Sequence, residues 1–308
     1  MRRLSILTSL LLLVWLAAGW FFSGMILYPG EGGRRGDRGQ RQQAVVDPVW
    51  TMESVRISVA DNVALAGEYY RHSQPQNRAV IFSPGRGANL SQGHRFMPLF
   101  KDLGCDVLLL QQRGVGESTD AAQTFGYHEK HDLSEAIEWL IERTDCDAGS
   151  IGLIGVSYGS AVSIQTLALR DDLAFVIADS TFTDLRTVVT DQANRMFGGW
   201  INAFVPMALA LAEWRGSLDI DDVSVVDGAT ARQTPILLMH ALHDRRGSSA
   251  YSQIVFDSAD PSSTMLSIND WGNGHGGDIR NFEMYQAVVQ EFLQTHAPEF
   301  LATVSPRT

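Results

Sequence analysis

Cysteine is scarce in this chain of 308 residues: Cys105 and Cys146 are the only two. A disulfide framework is therefore excluded, and at most one bridge can form. Basic residues are outnumbered, 24 Lys and Arg against 35 Asp and Glu, for a net charge of -11. With no basic face to neutralise phosphates, nucleic acid is excluded as a partner. No internal repeat is visible, which sets aside solenoids and propellers. His240 and His243 lie close together, but no third ligand stands at a workable spacing, so they read as structural and no metal is expected.

Apolar residues, by contrast, make up 45% of the chain, enough for a sizeable core and something more. The surplus is at the front, where Leu4 to Tyr28 carries no charge. As a helix this run spans about 37 Å, more than the roughly 30 Å of a bilayer core. Trp20, Phe21, Phe22 and Tyr28 suit an interface. A cleaved signal peptide is the alternative, with Leu16-Ala17-Ala18-Gly19 offering small residues. The run continues past them, so residues 1–28 are read as an uncleaved transmembrane signal anchor. Arginines flank both ends, and the positive-inside rule does not decide the side. The short charged head before a long apolar run looks like an export signal and points to an extracytoplasmic body. Residues 29–47, rich in Gly and Arg without apolar period, read as a flexible tether. A chain beginning near Asp47 is then expected to be soluble and active.

From residue 48 to 308 strands alternate with helices, the pattern of a mostly parallel sheet covered on both faces. Ser54–Val59 and Ala64–Tyr70 read as a hairpin turned at Asp61-Asn62. Buried strands are expected at Ala79–Phe82, Asp106–Leu110, Ile151–Ile154, Ala174–Ala178, Pro235–Met239 and Thr264–Ile268, with amphipathic helices over Lys130–Glu142 and Phe282–Gln294. A long insertion, about 184–233, holds the apolar stretch Met196–Trp214. It is either a helix pair packed on the body or a small helical cap whose apolar face meets an acyl group or lipid. Both readings bury the same residues.

Gly155-Val156-Ser157-Tyr158-Gly159 lies between the strand at Ile151 and a helical pattern over Ser160–Leu169. That context makes a G-x-S-x-G match meaningful: the serine sits at a strained turn, and the glycines let strand and helix crowd around it. The helix start also offers backbone N–H groups to a developing oxyanion. A serine of ordinary pKa needs a base, and the base needs an orienting acid. His275, in the Gly-rich loop Trp271–Gly277 after the last strand, is the candidate base. Asp244, just past the strand at Ile236, is the candidate acid, with Asp179 and Asp278 as rivals.

The order Ser157, Asp244, His275 is that of the α/β-hydrolases, and the chain resembles that superfamily over about 250 residues. Phe82–Asn89, Gln112–Ser118, Gly155–Gly159, Leu242–Asp244 and Gly274–Gly276 carry the likeness. Within it, the chain looks like N-terminally membrane-anchored serine hydrolases. The resemblance implies that the Ala79 strand lies between those at Asp106 and Ile151. A bridge between Cys105 and Cys146 is then awkward, and free buried thiols are expected. It also implies an oxyanion hole made by the N–H of Tyr158 and, from the loop after the Ala79 strand, that of Arg86. Relatives usually carry His-Gly in that loop, where this chain has Pro84-Gly85. Asn89 and Arg113 are expected to fix the loops rather than touch substrate. The expected protein is a membrane-tethered serine hydrolase cleaving an ester or related acyl bond, with no cofactor. A serine peptidase, an acyltransferase and a non-catalytic binding module are the alternatives.

Overall fold

The computed structural model describes residues 2–28, 47–230 and 232–302. The segment expected as a tether lies outside them except for Asp47. Eight strands, β1 (Trp50–Ser58), β2 (Ala64–His72), β3 (Ala79–Ser83), β4 (Asp106–Leu110), β5 (Ile151–Val156), β6 (Phe175–Asp179), β7 (Ile236–Ala241) and β8 (Thr264–Asn269), form one sheet in the order β1-β2-β4-β3-β5-β6-β7-β8. β1 and β2 pair antiparallel as a hairpin and β2 meets β4 antiparallel; the remaining neighbours are parallel. β3 lies between β4 and β5, as the resemblance implied, with Ile81 opposite Leu108 on one side and Leu153 on the other.

The central strands are buried at every position because helices cover both faces. Alternation divides them between two cores. Ala79, Ile81, Leu108 and Leu110 join the core under α3 (Glu129–Arg143), α4 (Tyr158–Thr166) and α8 (Ser249–Ser258). Val80, Phe82, Val107 and Leu109 face the other core, with α9 (Phe282–His296) and α10 (Pro298–Leu301). The stripe Leu133, Ile137 and Leu140 of α3 is buried as its spacing requires. Cys105 and Cys146 are free and buried, and burial pushes the Cys146 thiol up to about 11.

Between β6 and β7 the insertion forms α5 (Leu185–Phe197), a 3₁₀ turn over Gly199–Ala203, α6 (Val205–Gly216) and α7 (Val225–Ala229). Asp184 caps α5 by accepting from the Thr187 N–H at 2.8 Å, and Pro206 opens α6, where its missing N–H costs nothing.

The N-terminal helix α1 spans Arg2–Leu27, with side chains described from Leu13 onward. Its second half packs on α6. A Cβ on Gly19 would stand 2.5 Å from Met207, so the two helices cross where neither has bulk to spare. Trp15 donates to the Ala203 carbonyl at 3.2 Å, and Arg215 donates to the Trp20 carbonyl at 2.8 Å and to the Ser23 hydroxyl at 2.6 Å. Phe22 packs edge-on against Phe197, and Leu27 is fully buried in the main core. The expectation that a chain starting near Asp47 keeps its fold and activity is revised, because such a chain lacks Leu27 and every one of these contacts. Among the described residues no helix is long and apolar enough to cross a membrane, so a span over residues 1–28 draws no support from them.

Candidate active site

β5 ends at Val156 and α4 begins at Tyr158, leaving Ser157 alone at the turn with φ 56° and ψ -113°. A side chain in that region costs on the order of 1–3 kcal/mol and persists only where its surroundings hold it. Here they do. The Ser157 N–H donates to the Asp179 carbonyl at 2.7 Å, pinning the turn to β6. A Cβ on Gly155 would lie 2.3 Å from the Gly159 carbonyl oxygen, and one on Gly159 only 1.9 Å from that of Ser83. The two glycines are thus a steric condition for the turn.

The three residues expected from sequence come together. His275 Nε2 lies 2.7 Å from Ser157 Oγ, and His275 Nδ1 lies 2.6 Å from Asp244 Oδ2. A carboxylate facing Nδ1 fixes the proton there, so Nε2 accepts from the serine hydroxyl. The Asp244 side chain is fully buried in the turn after β7. Its Oδ1 accepts from the Arg246 N–H at 2.7 Å and the Gly247 N–H at 3.2 Å. Burial alone would raise its pKa, but hydrogen bonds from His240 and His275 outweigh that and hold the carboxyl well below its usual range.

His240 has a larger part than the sequence suggested. Its Nε2 faces two acceptors, Asp244 Oδ2 and the Gly247 carbonyl, both at 3.2 Å, and therefore carries the proton. Its Nδ1 then accepts from the Ser252 hydroxyl at 2.7 Å. His240 is a buried brace for Asp244, four residues further along the chain. His243 points away, 3.5 Å from Asp270. No group of three or more His, Cys, Asp or Glu among the described residues could hold a metal.

The rival acids lie elsewhere. Asp179 is buried, accepts from the Ser180 hydroxyl through Oδ1 and, among the described residues, has no partner for Oδ2. Burial, only partly offset by that hydroxyl, pushes its pKa up to about 7. Asp278 is held by Asn269 at 3.3 Å.

Tyr158 provides the first backbone N–H of α4, one of the donors that a helix start leaves without an intrahelical partner. In the loop after β3, the Gly85 N–H is taken at 2.7 Å by Gln92 of the short helix α2 (Ser91–His94), and Arg86 follows. The Arg86 side chain donates to the carbonyls of Met25, at 2.9 Å, and Ile26, at the end of α1, and lies over the Phe125 ring at 4.9 Å. Nothing in the sequence around Arg86 announces this tie to α1. Asn89 and Arg113 brace loops as expected: Asn89 accepts from the Ser91 N–H at 3.1 Å, and Arg113 forks onto buried Asp132 with two bonds of 2.6 Å.

A cavity of about 420 Å³ opens over Ser157, and Arg86, Phe125, Phe182, Gln192 and His275 are among its walls. Three arginines line it, Arg86, Arg195 and Arg246, and no carboxylate does among the described residues. A second cavity of about 370 Å³ lies between α1 and the insertion and shares Arg86, Phe125 and Gln192 with the first.

An eight-stranded, mostly parallel sheet with a serine on the sharp turn after β5 defines the serine-hydrolase type of α/β fold. The fold and the similarities below together support membership of the α/β-hydrolase superfamily. Residues 64–198 match the family model of the X-Pro dipeptidyl-peptidases (S15 family). Among curated proteins, YqkD of Bacillus subtilis is 26% identical over 227 residues, 72% of each chain. The α/β hydrolase domain-containing protein WAV2 of Arabidopsis thaliana is 23% identical over 257 residues, 80% of each chain. Among solved structures, the esterase Pf2001 of Pyrococcus furiosus superposes with a TM-score of 0.65 at 23% identity, covering 80% of this chain and 92% of its own. The acylaminoacyl peptidase of Pyrococcus horikoshii gives 0.62 at 18% identity, over 81% of this chain and 42% of its own.

Proposed function

We propose that this protein is a serine hydrolase that cleaves an ester or related acyl bond through an acyl-enzyme. The observation that carries the reading is the unbroken chain of bonds Ser157–His275–Asp244, whose first two members line the cavity of about 420 Å³. Ser157 Oγ attacks the acyl carbonyl carbon while its proton passes to His275 Nε2. Asp244 stabilises the imidazolium through Nδ1–H and keeps its own charge. The N–H groups of Tyr158 and Arg86 meet the charge that develops on the carbonyl oxygen, an effect worth about 10²–10³ in rate per donor. The alcohol leaves with the proton from His275. Water then attacks the acyl carbon, giving its proton to the same nitrogen, and the acid departs as Ser157 regains its hydrogen.

The match to the dipeptidyl-peptidase model favours a second reading, a serine peptidase on the same residues. A dipeptidyl substrate carries a cationic amino terminus, which calls for a carboxylate in its subsite. The arginine-lined cavity over Ser157 suits an ester better.

Contact of α1 with a membrane surface, as distinct from a span over Leu4–Tyr28, is part of the same proposal. It draws support from the outer face of α1, where Leu13, Val14, Trp20 and Phe21 are exposed, next to exposed Trp200 and Trp214 of the insertion. Trp20 and Trp214 stand 6.4 Å apart between ring centroids, which joins the two sets into one apolar surface. The test of the chemistry is labelling by a fluorophosphonate, with expected loss of label and of ester turnover in Ser157→Ala. Label retained by that variant rejects the nucleophile. The membrane role is tested by flotation with zwitterionic phospholipid vesicles, and protein of residues 1–308 left at the bottom of the gradient rejects it.

A further inference from the structure

We infer that the end of α1 is one wall of a binding chamber for the apolar chain of the acyl group, an inference that rests on the acyl-hydrolase reading of Ser157. The chamber is the smaller cavity. Phe22, Met25 and Ile26 of α1 close it on one side, and Val189 and Ala193 of α5 with Phe204 before α6 close it on the other. Its lining is mostly carbon, with Tyr28, Arg86 and Gln192 the polar residues among the described ones. An apolar space of this size, about 370 Å³, is within the range of small-molecule sites and favours an apolar guest over water.

Three residues common to both cavities place the chamber against the chemistry. Arg86, Phe125 and Gln192 line the space over Ser157 and the space beside α1. An acyl chain held in the chamber with its carbonyl carbon at Ser157 Oγ would lie along the Phe125 ring, which both cavities share. Among the described residues, the one cation that lines both cavities, Arg86, does not invite a charged guest. The Arg86 guanidinium is already bonded to the Met25 and Ile26 carbonyls and covered by Phe125. The occupant this chemistry selects is a medium-length alkyl chain joined to the ester carbonyl. A helix expected only to hold the protein at a membrane thus also shapes what the site accepts.

Two tryptophans from opposite walls test this. Met25→Trp fills the chamber from α1, and Ala193→Trp fills it from the insertion, so that a fault in docking α1 is not mistaken for a filled chamber. Binding is read without turnover, by titrating the full-length Ser157→Ala protein with cis-parinaric acid, whose fluorescence rises in an apolar site. Each added tryptophan is expected to weaken that binding on the order of tenfold. In the Ser157 form, each is expected to lower the ratio of kcat/KM for p-nitrophenyl octanoate over the acetate by a similar factor. Parinaric acid bound equally well with both tryptophans overturns the inference, and so does loss in Met25→Trp alone. Fatty-acid binding that the tryptophans abolish, in a protein that labels with no fluorophosphonate and turns over no ester, keeps the chamber and removes the hydrolase reading. Acetate turnover without fatty-acid binding does the reverse.

Discussion

Arg86 donates to the Met25 carbonyl over 2.9 Å, tying the loop after β3 to the last turn of α1. The same residue offers the backbone N–H proposed for the oxyanion. Two regions more than sixty residues apart in sequence therefore share one side chain, and the N-terminal helix bears on the geometry of the site.

A chain beginning at Asp47 is accordingly expected to be damaged. It exposes the core around Leu27, whose burial is worth about 1.5–3 kcal/mol, and leaves the Arg86 guanidinium without its acceptors. The midpoint of thermal unfolding should fall by on the order of 10 °C. Arg86→Ala in the full chain should lower kcat as well, since the loop it anchors carries the oxyanion donor. Equal Tm and equal kcat in the short and full chains would dismiss this role for α1.

The acid is assigned by a pair of variants. Asp244→Asn should lower kcat by roughly 10⁴, because an amide facing Nδ1 favours the wrong tautomer of His275. Asp179→Asn should cost much less, since Asp179 bonds to Ser180 and not to His275. The comparison is made with a water-soluble ester at saturating concentration, and the opposite ranking would move the acid to the end of β6.

Much of this was legible in the chain. The strands are short and carry continuous apolar runs, so Asp106–Leu110 reads directly from the pattern, and the glycines of Gly155–Gly159 announce the turn that their missing side chains permit. The three candidate residues Ser157, Asp244 and His275 were legible because each follows a strand end, and the fold brings them within hydrogen-bonding distance. The partner of α1 was not legible. An uncharged run such as Leu4–Tyr28 looks the same whether lipid or α6 covers it, and what distinguishes them here is a close crossing at Gly19 and a guanidinium sixty residues away. His240 was read as structural for lack of a third metal ligand. Its bond to Asp244 depends on how the turn after β7 folds back, which spacing alone does not report.

The steric reading of the elbow gives a sharp expectation for Gly159. A methyl there meets the Ser83 carbonyl oxygen at 1.9 Å and that of Pro84 at 2.7 Å, both backbone atoms that cannot swing aside. Gly159→Ala should therefore cost about 4 kcal/mol or more, among the largest effects of a single methyl. Urea unfolding monitored by tryptophan fluorescence reads the loss. A variant within 1 kcal/mol of the parent, a threshold at about the size of ordinary substitutions, would mean that strand and helix do not approach this closely.

Asp179 supplies the last expectation, in stability rather than rate. Its carboxyl is pushed up to about 7 in the folded protein by burial, with Asp278 adding to the rise and His240 and His275 opposing it, against an ordinary value of 3.8. Between those two values the folded chain holds a proton that the unfolded chain has lost. Stability from this group is therefore full below about pH 4, declines as pH rises, and has been lost once pH passes about 7. Asp244 acts in the opposite sense and in a different window, since its lowered pKa places its effect below about pH 4. Asp179→Asn keeps the acceptor for the Ser180 hydroxyl and removes the titration. The difference in unfolding free energy between parent and variant, measured in urea from pH 4 to pH 8, should shift steadily in favour of the variant. A difference that stays flat across that range would show that Asp179 ionises normally within the fold.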